Sequence, residues 1–218
     1  MKTARIKESG AEFPIGKIVC LARNYVEHIR ELGNETPDRP VLFMKPASSV
    51  IGNGGVIRIP AFSNECHHEV ELALLIGRGG KDIPEEEALG HVAGYGVALD
   101  MTLRDVQNEL KKKGLPWEIA KGFDTSCPLS EFVAIEGVGD PQLLRLRLEV
   151  NGEVRQDGTT DHMIHPVRQI VSHVSSIFSL EPGDVILTGT PSGVGPVRSG
   201  DRLQAELAGL VSLEVMVA

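Results

Sequence analysis

The segment Leu144-Arg145-Leu146-Arg147-Leu148-Glu149-Val150 alternates apolar and charged residues with a period of two and runs straight into Asn151-Gly152. That alternation makes a half-buried strand, and Asn-Gly suits the two positive-φ positions of a type I′ turn, so Glu153-Val154-Arg155 must return as the antiparallel partner. A hairpin this explicit commits the C-terminal half to sheet, and Asp184–Leu187 with two strands flanking Ala208-Gly209 extend it. Upstream, Lys17–Ala22, Val41–Met44 and Val56–Ile59 read as short strands. His67–Ile76 reads as a long strand, and Ala93–Met101 as one buried on both faces. Helical patterns are fewer. Pro84–His91 opens with three glutamates, Thr102 can cap Leu103–Lys113 before Gly114, and Pro166–Phe178 carries a stripe of Val167, Ile170, Val171, Val174 and Ile177. No βαβ train is present, which disfavours Rossmann and TIM architectures and favours a mixed α/β, β-dominated barrel or roll.

Composition narrows the function classes. Thirty acidic residues against 22 basic give a formal net charge of -8, which argues against nucleic acid as the main partner. No apolar run approaches the roughly 20 residues that span a bilayer, and Met1-Lys2-Thr3-Ala4-Arg5 leads into polar residues, not an apolar signal segment. Cys20, Cys66 and Cys127 form no C-x-x-C pair, so a reducing, cytoplasmic setting is expected, with Cys66 and Cys127 as inert packing.

Three carboxylates stand out. On a strand, Val70, Leu72, Leu74 and Ile76 share one face while Glu69 and Glu71 share the other. Asp100 closes the apolar run Gly94–Asp100, where an acid fits badly without a task. Three crowded carboxylates repel; a divalent cation relieves that, and all-oxygen ligation selects Mg²⁺ or Mn²⁺ over Zn²⁺. The bland reading is that the glutamates are solvated on an open sheet face. His67, on the glutamate face, is a fourth ligand, an outer donor, or merely structural.

In this order the motifs resemble the fumarylacetoacetate hydrolase family. They are R-N-Y-V-E-H-I-R-E-L at 23–32, P-V-L-F-M-K-P at 40–46, H-H-E-V-E-L-A-L-L-I-G from 67, and G-Y-G-V-A-L-D at 94–100. T-L-R-D-V-Q at 102–107, K-K-G-L-P-W at 112–117, A-K-G-F-D-T-S-C-P at 120–128 and L-T-G-T-P-S-G-V-G-P at 187–196 complete the set. The likeness is to the short acylpyruvase and oxaloacetate decarboxylase branch. It implies a mixed β-sandwich roll with few peripheral helices, a homodimer, an N-terminal extension at 1–15 and one catalytic domain at 16–218. It also implies Mg²⁺ or Mn²⁺ on Glu69, Glu71 and Asp100, and α-keto acid contacts from Arg23, Gln107 and Thr190. Lys121 would hold enolate charge, and His28 with Glu31 would form a basic dyad on a mobile lid, residues 25–40. Ala22 departs from the glycine many relatives carry before the arginine.

His28 and Glu31 are three apart, neighbours on one helical face, so the acid can fix the imidazole tautomer; without the resemblance they read as a surface ion pair. The expected reaction is hydrolysis of an acylpyruvate, a 2,4-diketo acid such as acetylpyruvate or fumarylpyruvate, to pyruvate and a carboxylic acid through an enolate. Oxaloacetate decarboxylation and hydroxymuconate-type isomerisation use the same intermediate. A non-catalytic module binding metal and dicarboxylate is the remaining reading. Thr188-Gly189-Thr190-Pro191-Ser192-Gly193 lacks a P-loop's lysine and helix and reads as a tight active-site turn; Lys111–Lys113 reads as a helix C-terminus.

Overall fold

The computed structural model describes residues 1–31, 33 and 39–218. The elements begin with β1 (Thr3–Arg5), β2 (Glu12–Pro14), β3 (Ile18–Ala22), α1 (Val26–Glu31), β4 (Val41–Lys45), β5 (Val50–Ile51) and β6 (Gly55–Ile57). Next come β7 (Cys66–His68), β8 (Val70–Ile76), β9 (Val92–Leu99), β10 (Thr102–Leu103), α2 (Arg104–Lys113), α3 (Glu118–Lys121), β11 (Cys127–Pro128) and β12 (Val133–Ala134). The chain ends with β13 (Arg145–Val150), β14 (Glu153–Thr159), α4 (Val167–Ile177), β15 (Val185–Leu187), β16 (Gly195–Val197), β17 (Arg202–Leu207) and β18 (Val211–Val217).

Two sheets make the frame. A six-stranded mixed sheet has the order β12-β9-β8-β15-β3-β4, and a five-stranded one the order β14-β13-β17-β18-β6. Val70, Leu72, Leu74 and Ile76 of β8 enter the larger core with Leu146, Leu148, Leu203 and Leu213 of the second sheet. Ala73 and Leu75 face the other way, into a smaller core with Cys20, Phe132 and Leu187. All seven residues of β8 are therefore buried. A one-residue slip would drive Glu71 into the leucine core and strip Leu72 and Leu74 of cover, each worth roughly 1.5–3 kcal/mol, so the register is firmly set. The mixed, strand-dominated fold is as the sequence predicts. Residues 1–15 carry the β1–β2 hairpin, whose Ala4 and Ile6 pack into the smaller core.

Asn151 and Gly152 adopt φ of 55° and 81°, as a type I′ turn requires. The returning strand β14 runs four residues beyond Arg155, to Thr159. Other expectations need correcting. Pro84–His91 forms only a 3₁₀ turn at Ala88–His91, because His91 O accepts the N–H groups of Gly77 and Arg78 and ties the chain back to the sheet. Thr102 does not cap α2; it lies in β10 and its hydroxyl donates to Asp100 O at 3.1 Å. Ile177, in the last turn of α4, faces solvent. The segment His67–Ile76 is two strands, broken at Glu69, where β7 pairs with β10 and β16 while β8 pairs with β9 and β15. Gln156 Oε1 accepts the Val70 N–H there, which diverts the ladder. No described helix is long and apolar enough to cross a membrane.

Candidate active site

Pairing of β8 with β9 in the register Val70↔Leu99 sets Glu69 beside Asp100, and Asp100 N donates to Glu69 O at 2.8 Å. Glu71 lies one pleat along on the same side. Carboxylate oxygens of Glu69, Glu71 and Asp100 fall within 4.8 Å of one another, and all three residues are buried. Glu71 is 1% exposed, so the open-face reading of the glutamates is excluded. Antiparallel β15 then delivers Thr188 and Gly189 to the same point. Gly189 N donates to Glu71 Oε2 at 2.7 Å, and its φ of 93° and the approach of Asn24 leave no room for a Cβ.

Cations surround the acids. Lys121, ending α3, donates to Glu69 Oε2 at 3.0 Å and to Asp100 Oδ2. Arg104, opening α2, donates to Glu69 Oε1 and, at 2.7 Å, to Gln107 Oε1. Burial opposes ionisation of Glu69, yet Lys121 and Arg104 hold its carboxyl well below the usual range. Glu71 has no side-chain ion pair among the described residues; burial, Asp100 and Glu69 push it well above, against a weaker pull from Lys121. Burial disfavours the Lys121 ammonium too, but Asp100 and Glu69 outweigh it and raise its pKa, keeping it charged. Among the described residues no hydrogen bond reaches Asp100 Oδ1, and Lys45 Nζ meets it at 2.8 Å as an ion pair only. An all-oxygen triad of buried carboxylates crowded within 4.8 Å of one another fits a hard divalent metal ion.

The remaining predicted residues converge on this cluster. Arg23, His28, Gln107, Lys121, Thr190 and the two glutamates line one small cavity of about 30 Å³. Asp100 lies beneath it, held through Lys121, and Glu31 stands behind His28. His28 Nδ1 lies 3.3 Å from Glu31 Oε2, and both Glu31 oxygens accept Gly193 N, at 3.0 and 3.2 Å. Burial lowers the His28 pKa against the pull of Glu69 and Glu31, so the imidazole is neutral. Arg23 holds a left-handed φ of 61°, uncommon for a non-glycine residue and frequent at functional sites. Of the predicted lid, 25–40, residues 32 and 34–38 lie outside the described residues.

Over residues 17–218 the sequence matches the family described as Fumarylacetoacetate (FAA) hydrolase C-terminal. The chain belongs to the fumarylacetoacetate hydrolase family. A mitochondrial oxaloacetate tautomerase of Mus musculus is 50% identical over 200 residues, 92% of this chain and 90% of that protein. An oxaloacetate tautomerase of Escherichia coli K12 is 51% identical over 91% of both chains. The fumarylpyruvate hydrolase of Pseudomonas aeruginosa, solved with Mn²⁺ and pyruvate, superposes with a TM-score of 0.95 at 40% identity, covering 100% of this chain and 95% of that one.

Two residues at this centre are not singled out by the sequence pattern. Lys45, 1% exposed, ends an apolar strand and donates to Ser126 O at 3.0 Å, Met101 O at 3.3 Å and Lys121 O. Gln156 joins four groups: His68 Nδ1, Val70 N, Thr190 Oγ1 and Pro191 O. His67 is not among the triad's ligands; it accepts from Arg104 Nε at 3.5 Å and pairs with Glu65. Ala22 lies in β3 without a positive φ and packs on the smaller core, so its methyl is accommodated. All three cysteines are free and buried, with burial pushing the Cys66 and Cys127 thiols up to about 12, which suits inert packing.

Proposed function

We propose that this protein is a divalent-metal enzyme of 2-oxo acids that carry a second carbonyl at C4, and that it interconverts the keto and enol forms of oxaloacetate. The observation that carries the reading is a neutral, buried histidine, fixed by Glu31, facing a buried carboxylate triad and a charged Lys121 across one cavity. The half-identity to two oxaloacetate tautomerases supports that substrate. Glu69, Glu71 and Asp100 would hold Mg²⁺ or Mn²⁺, and the Mn²⁺ in the Pseudomonas structure favours testing manganese first. When bound, the ion supplies Lewis-acid polarisation of the substrate's carboxylate and 2-oxo oxygens.

The chain's own residues do the rest. Gln156 Nε2 donates to Thr190 Oγ1 at 2.7 Å, leaving the threonine hydrogen free for the substrate carboxylate, which Arg23 also contacts. Gln107 spends its oxygen on Arg104, so its amide hydrogens are available to a substrate oxygen. His28 donates Nδ1–H to Glu31, leaving the Nε2 lone pair as base for a proton on C3. Lys121 offsets the charge that proton leaves behind. The proton returns to C3 or to oxygen, and tautomerisation is complete.

Hydrolysis of acylpyruvates is the second reading, favoured by the same dyad. Aimed at a water instead of C3–H, His28 would deliver hydroxide to the 4-carbonyl, and the C3–C4 bond would break to pyruvate enolate and a carboxylic acid. Decarboxylation of oxaloacetate ends on the same enolate. Rates with enol oxaloacetate, acetylpyruvate and fumarylpyruvate, with Mn²⁺, Mg²⁺ or excess chelator, separate these outlets. Tautomerisation undiminished in chelator contradicts the proposal, and tight dicarboxylate binding with no turnover points to a binding module. A homodimer in a reducing compartment completes the reading.

A further inference from the structure

Arg104, Gln107 and Lys111 stand three and four residues apart on α2, and all three line the cavity. Lys112 and Lys113 are exposed, as a helix C-terminus explains; Lys111 is turned inward and half-buried. Its Nζ sits 5.5 Å from the centroid of the Trp117 ring, a cation–π seat that fixes the ammonium at the cavity wall. Arg104 and Lys121 are paired with Glu69 and Asp100, whereas Lys111 has no carboxylate partner among the described residues. Burial and the like charges of Arg104, Arg23 and Lys121 pull the ammonium down to about 8, with Glu69 opposing. A positive charge held where it is repelled, beside an anion-binding cavity, is complementary to a second anion.

We propose that Lys111, seated on Trp117, receives the distal carboxylate of the substrate, so that the site prefers dicarboxylic 2-oxo acids to monocarboxylic ones of equal length. The inference rests on reading the cavity as a 2-oxo acid site and names the residue that selects among such acids. One carboxylate and the 2-oxo group occupy the inner end, near Arg23 and Thr190. The far end of a short dicarboxylate then reaches the cavity wall, where α2 presents Lys111 and a monocarboxylic analogue presents only a methyl. A charge-assisted hydrogen bond at this half-exposed position favours the dicarboxylate by roughly ten-fold.

The test uses 2-oxoglutarate and 2-oxopentanoate, which share a five-carbon chain, differ in the distal carboxylate and carry no C4 carbonyl to react. Both are titrated calorimetrically into Mn²⁺-loaded wild type, Lys111→Met and Lys111→Arg. Lys111→Met should weaken 2-oxoglutarate about ten-fold and 2-oxopentanoate less than two-fold, while Lys111→Arg keeps the preference. Equal losses for both ligands, or no preference in the wild type, overturn the proposal. Oxaloacetate turnover is measured separately on the same wild-type protein. Absent turnover with intact ligand discrimination counts against the reaction and for Lys111; normal turnover with no discrimination does the reverse.

Discussion

Lys45→Met removes a buried ammonium that contacts the triad through Asp100 but does not line the cavity. Methionine nearly matches the lysine in volume, so packing is preserved and the charge is the variable. In the wild type Nζ stands 2.8 Å from Asp100 Oδ1 and donates to three backbone carbonyls. Two of those carbonyls keep a donor without it: Lys121 O from Ser126 Oγ at 2.8 Å, and Ser126 O from Met101 N at 3.0 Å. The main cost is therefore the charge on Asp100. Removing one partner of a buried pair typically costs about 3–5 kcal/mol; because Asp100 retains Lys121, the lower end, about 3 kcal/mol, is expected. For a chain of this length that lowers Tm by roughly 6–12 °C. The assay is thermal and urea unfolding in chelator, repeated with saturating Mn²⁺. A bound cation compensates Asp100 directly, so Mn²⁺ should raise the variant's Tm more than the wild type's. A loss under about 1 kcal/mol in chelator, or an equal Mn²⁺ increment in both proteins, refutes the charge argument.

Other substitutions probe the site piece by piece. His28→Ala should lower turnover by about 10² or more, the usual size of a general-base effect, while direct titration finds Mn²⁺ affinity unchanged. Glu71→Gln should leave metal-free stability almost unaltered, because burial and the neighbouring acids already favour the neutral carboxyl. It should nonetheless cost about 100-fold in Mn²⁺ affinity, since outer-shell partners alone are worth about 10–100-fold. Burial lowers the pKa of His28, His67 and His68 from the ordinary 6.5. The unfolded chain thus binds more protons below that pH, and stability present above 6.5 is lost as pH falls through it. Glu71, raised by burial, works in the opposite sense, so urea midpoints at pH 7.5 and 5.5 are compared in Glu71→Gln, which removes that titration; a higher midpoint at 5.5 there would contradict the sign.

Much of this was legible because acids interrupt apolar strands. Glu69, Glu71 and Asp100 are conspicuous in segments that otherwise bury every residue, and the antiparallel register needed only the strand ends to bring them together. Less visible were residues whose role depends on a distant partner. Gln156 lies on a strand of mostly exposed residues, and only the folded chain shows its amide joining His68, Val70 and Thr190. Lys45 closes Val-Leu-Phe-Met-Lys-Pro and looks like an ordinary polar strand end. Lys111 shares helical spacing with Arg104 and Gln107, yet two exposed lysines beside it disguise the face it takes. The break at Glu69 was hidden because period-two alternation continues through it; the chain changes sheets there without changing its pattern. Pro84–His91 has helical composition but is held by tertiary bonds to two glycine-loop amides, which no local propensity encodes.

If the buried carboxylate triad binds one divalent ion, recognition of 2-oxo acids at this cavity depends on that ion. Mn²⁺ titrated into chelator-stripped protein, followed by electron paramagnetic resonance and then by oxalate, a mimic of the pyruvate enolate, tests this most directly. One Mn²⁺ per chain is expected, lost in Asp100→Asn, with oxalate binding only to the loaded protein. Oxalate binding with equal affinity without metal, or full Mn²⁺ binding by Asp100→Asn, would contradict it.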